Sequence, residues 1–431
     1  MTDQAMNQTR GAAALTDEAA ARRVRRRHAA NRRMQIYGLS AIGLAVLLLG
    51  VLLGSLLLTG TQAFVQTHIR FDVTIDADKV KADDLFDANW RGIAQDNFVR
   101  LFPEVTNRRD QRELVKMISN GAPYMLRDIV AADPSLIGRT FEVSFPAADP
   151  IDQFNKGVIT RDVPEDQRIV TNKTVAWFDK LVAEDRISTP FNWSLFFSAD
   201  SRFPELAGLS GAIVGSFYAL LVCFLISFPV GIAAAVYLEE FAPKNRMTDL
   251  IEININNLAA VPSVVFGLLG LAVFLQFFGL PRSAPLVGGM VLALMTLPTI
   301  IIATRSALKA VPPSIRQAAF GIGASHHQVV MHHVIPLALP GAMTGTIIGL
   351  AQALGETAPL LLIGMNAFIT SDPGGLMEPA TALPTQIFIW ADSPERGFVA
   401  RTSAAILVLI GFLIIMNLLA VVVRQRLERK W

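Results

Sequence analysis

Val311-Pro-Pro-Ser-Ile-Arg-Gln-Ala-Ala-Phe-Gly-Ile-Gly-Ala-Ser-His-His-Gln-Val-Val-Met-His-His-Val-Ile-Pro-Leu-Ala-Leu-Pro340 is the stretch on which the fold turns. Pro312 and Pro313 end the apolar run before it, because proline supplies no backbone N–H to continue a helix. Ser314 can then cap a short helix, and Gly321 or Gly323 can close it. On that helix Ile315, Ala318, Ala319 and Ile322 share one face at helical spacing. Two alanines at the centre of this face let another surface approach closely. Ser325-His326-His327-Gln328 has the spacing of a capping box and starts a second helix, and Pro336 and Pro340 bound the apolar stretch beyond it. Two short helices hinged at glycines, with a small-residue face, form a plug for a partner's groove.

The chain on either side of this segment is apolar. It has 431 residues, 52 % of them hydrophobic and only 17 % charged, against roughly 25 % in ordinary soluble domains. That deficit excludes a soluble enzyme of this size and points to the bilayer. Six stretches lack Lys, Arg, Asp and Glu for about the 20 residues a crossing needs. They are Gly38–Thr67, Ala207–Leu238, Ile253–Pro281, Ser283–Thr304, Val334–Ser371 interrupted by Glu356, and Thr402–Val423. The fifth exceeds one span, so its helix is placed near Pro336–Gly364. Helices are expected, since a lone segment in lipid must satisfy its own backbone hydrogen bonds. The first run is too long for the core of a signal peptide and reads as a retained span.

Charge sets the expected orientation. Arg22, Arg23, Arg25, Arg26, Arg27, Arg32 and Arg33 precede the first span, and Arg424, Arg426, Arg429 and Lys430 come after the last. Six spans put both ends on one side, and both are basic, so both are expected in the cytoplasm. Residues 1–37 read as a basic arm, 38–65 as the first transmembrane helix and 425–431 as a basic tail. A nucleic-acid role for the arm lacks a folded reader beside it. Between the first two spans, residues 66–205 hold 23 of the 36 acidic residues and 18 Lys or Arg, a hydrophilic segment long enough for a small domain. Ile69–Ile75 and Phe141–Phe145 alternate like strands, while Asp83–Leu101, Arg109–Val130 and Lys173–Arg186 read as amphipathic helices. It shows no nucleophile elbow, metal-ligand cluster or phosphate loop, so binding or docking is the expected role. Residues 206–424 form a five-helix core that carries the surface loop 310–336.

Two chemistries are set aside. His326, His327, His332 and His333 are spaced by one, five, six and seven residues, whereas shared metal ligation on a helix needs three or four. No metal site is expected. A phosphate-binding P-loop needs a Gly-Lys dipeptide, and none occurs in the chain. The energy therefore comes from another polypeptide, or the protein is passive. Cys223 is the single cysteine, which excludes an intrachain disulfide and a structural Cys-type zinc site.

Gln317-Ala318-Ala319, Gly323 and Pro336 together resemble the EAA coupling loop of ABC importer permeases. In that family the loop inserts into a cleft of the ATP-binding subunit, and Glu usually stands where this chain has Gln317. Asn257–Gly267, Leu297-Pro298 and Leu354-Gly-Glu-Thr-Ala-Pro-Leu360 are similar to the PstA family of phosphate-importer permeases, and Pro379–Pro394 looks like its final external loop. The resemblance runs from about Phe191 to the C-terminus and takes in the first span loosely. Residues 66–189 look like an insertion found in a longer subgroup. It implies an all-α polytopic membrane protein, with six transmembrane helices like a type I importer permease and an inserted α/β periplasmic domain. It further implies a bacterial inner-membrane location, no catalysis in this chain, and ATP and magnesium bound by the partner. The implied partners are two copies of a PstB-like ATPase, a PstC-like second permease and a PstS-like phosphate-binding protein.

Glu356 is a carboxylate within an apolar run, costing roughly 2.5–3.5 kcal/mol on insertion scales if charged at the bilayer centre. It should face the bundle or a watery path, as a gate latch or an ion pair with the sister subunit. Polar glue between helices is the alternative. Arg305 is the best-placed cation for an oxyanion leaving the pore, or else an interface anchor. Many PstA relatives have Arg where Gln352 stands, and an Arg-x-x-Glu pair where Ile302 and Arg305 stand. Phosphate would then be passed by Ser263, Thr299, Gln352, Thr357 and backbone donors at broken helix ends near Pro262 and Pro298. Scattered donors suit a conduit. The residues leave open a permease for another oxyanion, such as phosphonate, sulfate or molybdate, and a membrane-anchored periplasmic receptor.

Overall fold

A computed structural model describes residues 18–78, 80, 85 and 88–427 of the chain, with side chains from 21 to 426 where described. The start of the basic arm, Arg429, Lys430 and the first residues of the helix expected over Asp83–Leu101 lie outside the described residues. The chain divides into a unit up to Leu58 and a unit from Thr59 onward. The first is helical: α1 runs over Glu18–Gly60, from the arginine-rich arm into the apolar run without a break.

The second unit begins with the inserted domain. β1 (His68–Thr74) is the centre of a three-stranded antiparallel sheet. β2 (Thr140–Pro146) pairs along its full length, from His68↔Pro146 to Thr74↔Thr140, and β3 (Ile187–Ser188) covers only its start. Alternation in β1 sends Ile69, Phe71 and Val73 inward and leaves Asp72 exposed. Four helices of the domain are α2 (Trp90–Arg100), α3 (Arg108–Leu114), α4 (Ala122–Ala132) and α5 (Asp149–Asn155). A fifth, α6 (Asn172–Ala183), is capped by the Thr171 hydroxyl. Phe71, Phe98, Phe145, Leu126 and Leu181 close its core, each worth about 1.5–3 kcal/mol of burial. The single helix expected over Arg109–Val130 is two, because Gly121 and Pro123 start a fresh turn at α4.

The membrane core comes next. α7 (Ser210–Val236) runs on through a π turn at Tyr237–Phe241. α8 (Arg246–Ala259) and α9 (Ser263–Gly270) are succeeded by α10 (Pro285–Ala310), α11 (Pro313–Gly321) and α12 (His326–Gly355). α13 (Ala358–Leu362), α14 (Leu383–Ala391) and α15 (Gly397–Leu427) complete it. Among the described residues five helices are long and apolar enough to cross a bilayer, and α8 with the α9 segment, bent by 100°, makes a sixth candidate. The third uncharged run, Ile253–Pro281, is therefore a bent pair, with the broken helix end expected near Pro262. Pro262 cannot donate into the preceding turn, so the chain leaves the helix at Ala260 and restarts at Ser263.

Pro298 behaves differently. It lies inside the unbroken α10, so the helix break expected there does not exist. Buried between neighbouring helices, α10 is held straight enough to tolerate one missing hydrogen bond. Small residues set the spacing of these helices. A Cβ on Gly289 of α10 would lie 2.6 Å from the Ala219 carbonyl oxygen of α7, so only glycine lets the two backbones meet. Cys223, fully buried in the same seam, lies 3.5 Å from the Thr296 hydroxyl.

Candidate functional site

α11 opens on Pro312 and Pro313, with no side-chain cap, so Ser314 does not take the capping role expected of it. Proline fits the first helical turn without help, since the N–H it lacks would have had no partner. Gly323, at φ +86°, closes the helix and donates to the Phe320 carbonyl. Ser325 and Gln328 then form the reciprocal capping box that starts α12. The second helix is not a separate short one. It continues through a π turn at Val330–Val334 into the span, with Pro336 in the first turn of the segment Ile335–Gly355 and Pro340 inside it.

Ile315, Ala318, Ala319 and, just past the helix end, Ile322 lie on one side of α11, where Ala319 turns into the chain's own helices while Ala318 and Ile322 stay exposed. With Leu337 and His333 of α12 this side walls an open apolar groove of about 900 Å³. Ala319 is buried in a cluster with Leu308, Val330 and Val334, so it anchors α11 to the bundle. Gln317, Ala318, Phe320 and Ile322 are exposed, Ile322 at 83 %. Phe320, which the small-residue pattern passed over, stacks on the His326 ring at 6.1 Å. Pro336 lines the same groove.

Beneath α11 lies a set of ion pairs. Arg316 donates to Glu240 at 2.7 Å and to the Val311 and Leu308 carbonyls. Glu240 is only 7 % exposed, and its backbone carbonyl lies 2.8 Å from His326 Nε2. Arg305 reaches Glu252 of α8 at 2.5 Å and Glu239 at 3.4 Å, with Lys309 3.6 Å from Glu239. Arg305 is thus held between two carboxylates and is not a free cation for an oxyanion. Glu239, Glu240 and Glu252 were missed in the sequence because their partners are 53 to 76 residues away, beyond any helical periodicity.

The remaining pathway candidates fall in two places. α9 packs along α13, where a Cβ on Gly267 would lie 2.7 Å from Pro359 Cα. This puts the helix start at Pro262 and Ser263 and the break at Glu356 and Thr357 on neighbouring elements. Glu356 ends α12 in an extended conformation, and its carboxylate makes no hydrogen bond or ion pair among the described residues. Pro298 and Thr299 lie elsewhere: the Thr299 carbonyl backs onto Gly345 of α12. Gln352 is seven residues further along α12, about 10 Å by helix rise, and exposed. No cluster of three metal-ligating side chains occurs among the described residues.

Comparison with known proteins gives a coherent result. Residues 227–430 match the family of binding-protein-dependent transport system inner membrane components, and residues 21–165 match a domain of unknown function. A probable ABC transporter permease protein, YqgI of Bacillus subtilis (strain 168), is 30 % identical over 219 residues, covering 47 % of this chain and 73 % of its own. The phosphate transport system permease protein PstA of Yersinia pestis is 31 % identical over 217 residues, covering 50 % of this chain and 72 % of its own. Among solved structures, an inward-facing conformation of the MetNI methionine ABC transporter is similar at 18 % identity and a TM-score of 0.40. It covers 50 % of this chain and 95 % of its own.

Proposed function

Because the chain belongs to the permeases of binding-protein-dependent ABC importers, we propose that it is the permease subunit of an ATP-driven importer of inorganic phosphate. The observation that carries the cargo is the 31 % identity to a phosphate permease over 217 residues. In this reading α11 is the element a separate ATPase grips, with Gln317, Ala318, Phe320 and Ile322 offered outward and Ile315, Ala319, Gly323 and Pro336 holding it in place. Lacking an acid at position 317, the contact depends on packing more than on charge. The ATPase, as two PstB-like copies, binds the ATP and magnesium, and this chain needs no cofactor of its own. A PstC-like permease supplies the other half of the pathway and a PstS-like protein delivers phosphate. The protein lies in a bacterial inner membrane with both basic ends in the cytoplasm and residues 66–205 on the periplasmic side.

Within the pathway, Pro262, Ser263, Glu356 and Thr357 form the gate region, and Pro298, Thr299 and Gln352 line the route. Arg305 serves the coupling end, because its charge is already taken by Glu239 and Glu252. A route with so few free cations favours a conduit whose selectivity comes from the delivering protein. Another oxyanion would therefore fit the same route. The test is reconstitution of the assembled importer in proteoliposomes. Phosphate-stimulated ATP hydrolysis is expected, and Ala318→Arg, at an exposed position, is expected to abolish it while the chain still folds. Intact stimulation in that variant overturns the coupling role, and stimulation by sulfate or molybdate in place of phosphate overturns the cargo.

A further inference from the structure

The inserted domain meets the last span at a buried group of charges that the transport reading does not use. Arg401, one turn into α15, is only 6 % exposed, and its guanidinium donates to the Ala207 carbonyl. Three carboxylates surround it from the domain side: Asp149 and Asp152 on α5, and Glu205 in the segment just before α7. These groups, with Lys156, Gln153 and the exposed Arg396, line a cavity of about 80 Å³. Its size and polar lining suit water.

Some of the charges are tied to the domain itself. Asp152 accepts from the Thr67 N–H at 2.8 Å and from Lys156 at 2.5 Å. Glu205 accepts from the Ser119 hydroxyl at 2.9 Å. Among the described residues Asp149 has only the amide of Gln153, at 2.5 Å, as a hydrogen-bond donor. Gly397 of α15 lies directly against its carboxylate, so that any side chain at 397 would collide with it. Three acids thus face the buried Arg401 and the partly buried Lys156, with Arg396 at the exposed rim, and the acid nearest the span is the least compensated.

We propose that the inserted domain docks on the last span where Asp149 packs against Gly397 beside Arg401, and that protonation of Asp149 tightens this clamp. The domain then acts as a moving part of the permease whose hold on α15 responds to the acidity of its surroundings. Geometry and charge set the direction. Burial, then the neighbouring Glu205 and Asp152, push the Asp149 carboxyl up to about 6 from its ordinary 3.8, against the opposing pull of Gln153 and Arg401. Burial raises Glu205 as well. A docked Asp149 keeps its proton up to pH of about 6, whereas a released one, freed of burial under α15 but still beside Asp152 and Glu205, loses it at lower pH. The docked state therefore binds more protons, and docking strengthens as pH falls through 6 toward 4. Between pH 7.5 and pH 5 the docked-to-released ratio should rise by up to about tenfold.

The test uses the full chain in lipid nanodiscs with Cys223→Ser and spin labels at the exposed Ile169 and Met377. Inter-label distance distributions are recorded at pH 7.5 and pH 5. The docked population should grow on acidification, and in Asp149→Asn it should be high and equal at both values. Arg401→Gln should broaden the distribution at both, and Arg401→Lys should recover part of the narrow peak. An unchanged wild-type ratio overturns the proposal, as does a pH response that survives Asp149→Asn or a narrow peak in Arg401→Gln. None of these outcomes depends on which solute the importer carries.

Discussion

α7 has a charged group at each end, and the two are built on opposite plans. Past its C-terminal end, Glu239 and Glu240 meet Arg305 and Arg316 in direct pairs at 2.5–3.6 Å, with Glu252 and Lys309 alongside. Before its N-terminal end, Asp149, Asp152 and Glu205 crowd around Arg401 and Lys156, and Lys156 makes the only direct ion pair there among the described residues. The first group is balanced charge for charge and fixes α11 to the bundle. The second carries an excess of acid and holds more tightly when protons arrive. The difference teaches that buried charge can serve rigidity or responsiveness, depending on whether each ion has its own partner.

Substitutions can break or sharpen this contrast. The largest effect is expected from Arg316→Ala, which leaves Glu240 buried and unpaired. A loss of about 3–5 kcal/mol is expected, read as a fall in thermal unfolding temperature in detergent. Removing an acid from the other group should change the sign. At pH 7.5 Asp149→Asn should stabilise the chain by no more than about 3 kcal/mol, and the gain should vanish by pH 4. A loss instead would make the two groups alike. The smallest effect is expected for Lys309→Ala, whose contact with Glu239 is long and whose side chain is 58 % exposed. Its unfolding temperature should stay within the change that about 0.5 kcal/mol produces.

The sequence made the local chemistry readable and hid the tertiary chemistry. Apolar runs marked the spans, because twenty uncharged residues have few other places to go. The glycine at 323 and the box at Ser325 were readable because caps act over three or four residues. Pro262 and Pro298 looked alike as prolines in apolar runs. Only the first breaks its helix, since Pro298 is enclosed by neighbouring helices and Pro262 is exposed. Spacing put Ile315, Ala318, Ala319 and Ile322 on one side of α11, yet which of them is buried and which exposed depends on where α10 and α12 lie. Arg401 marked only the edge of a span, because the acids facing it, Asp149, Asp152 and Glu205, lie 196 to 252 residues earlier.

Cys223 offers a way to watch the bundle work. Its thiol is sealed in the seam where α7 and α10 meet at glycine distance, beside the Thr296 hydroxyl. A small methanethiosulfonate reagent cannot reach it unless those helices part. The rate of labelling is then a clock for seam opening, set by the fraction of time the thiol is uncovered. Since it is the chain's single cysteine, that clock runs without background from any other thiol in the polypeptide.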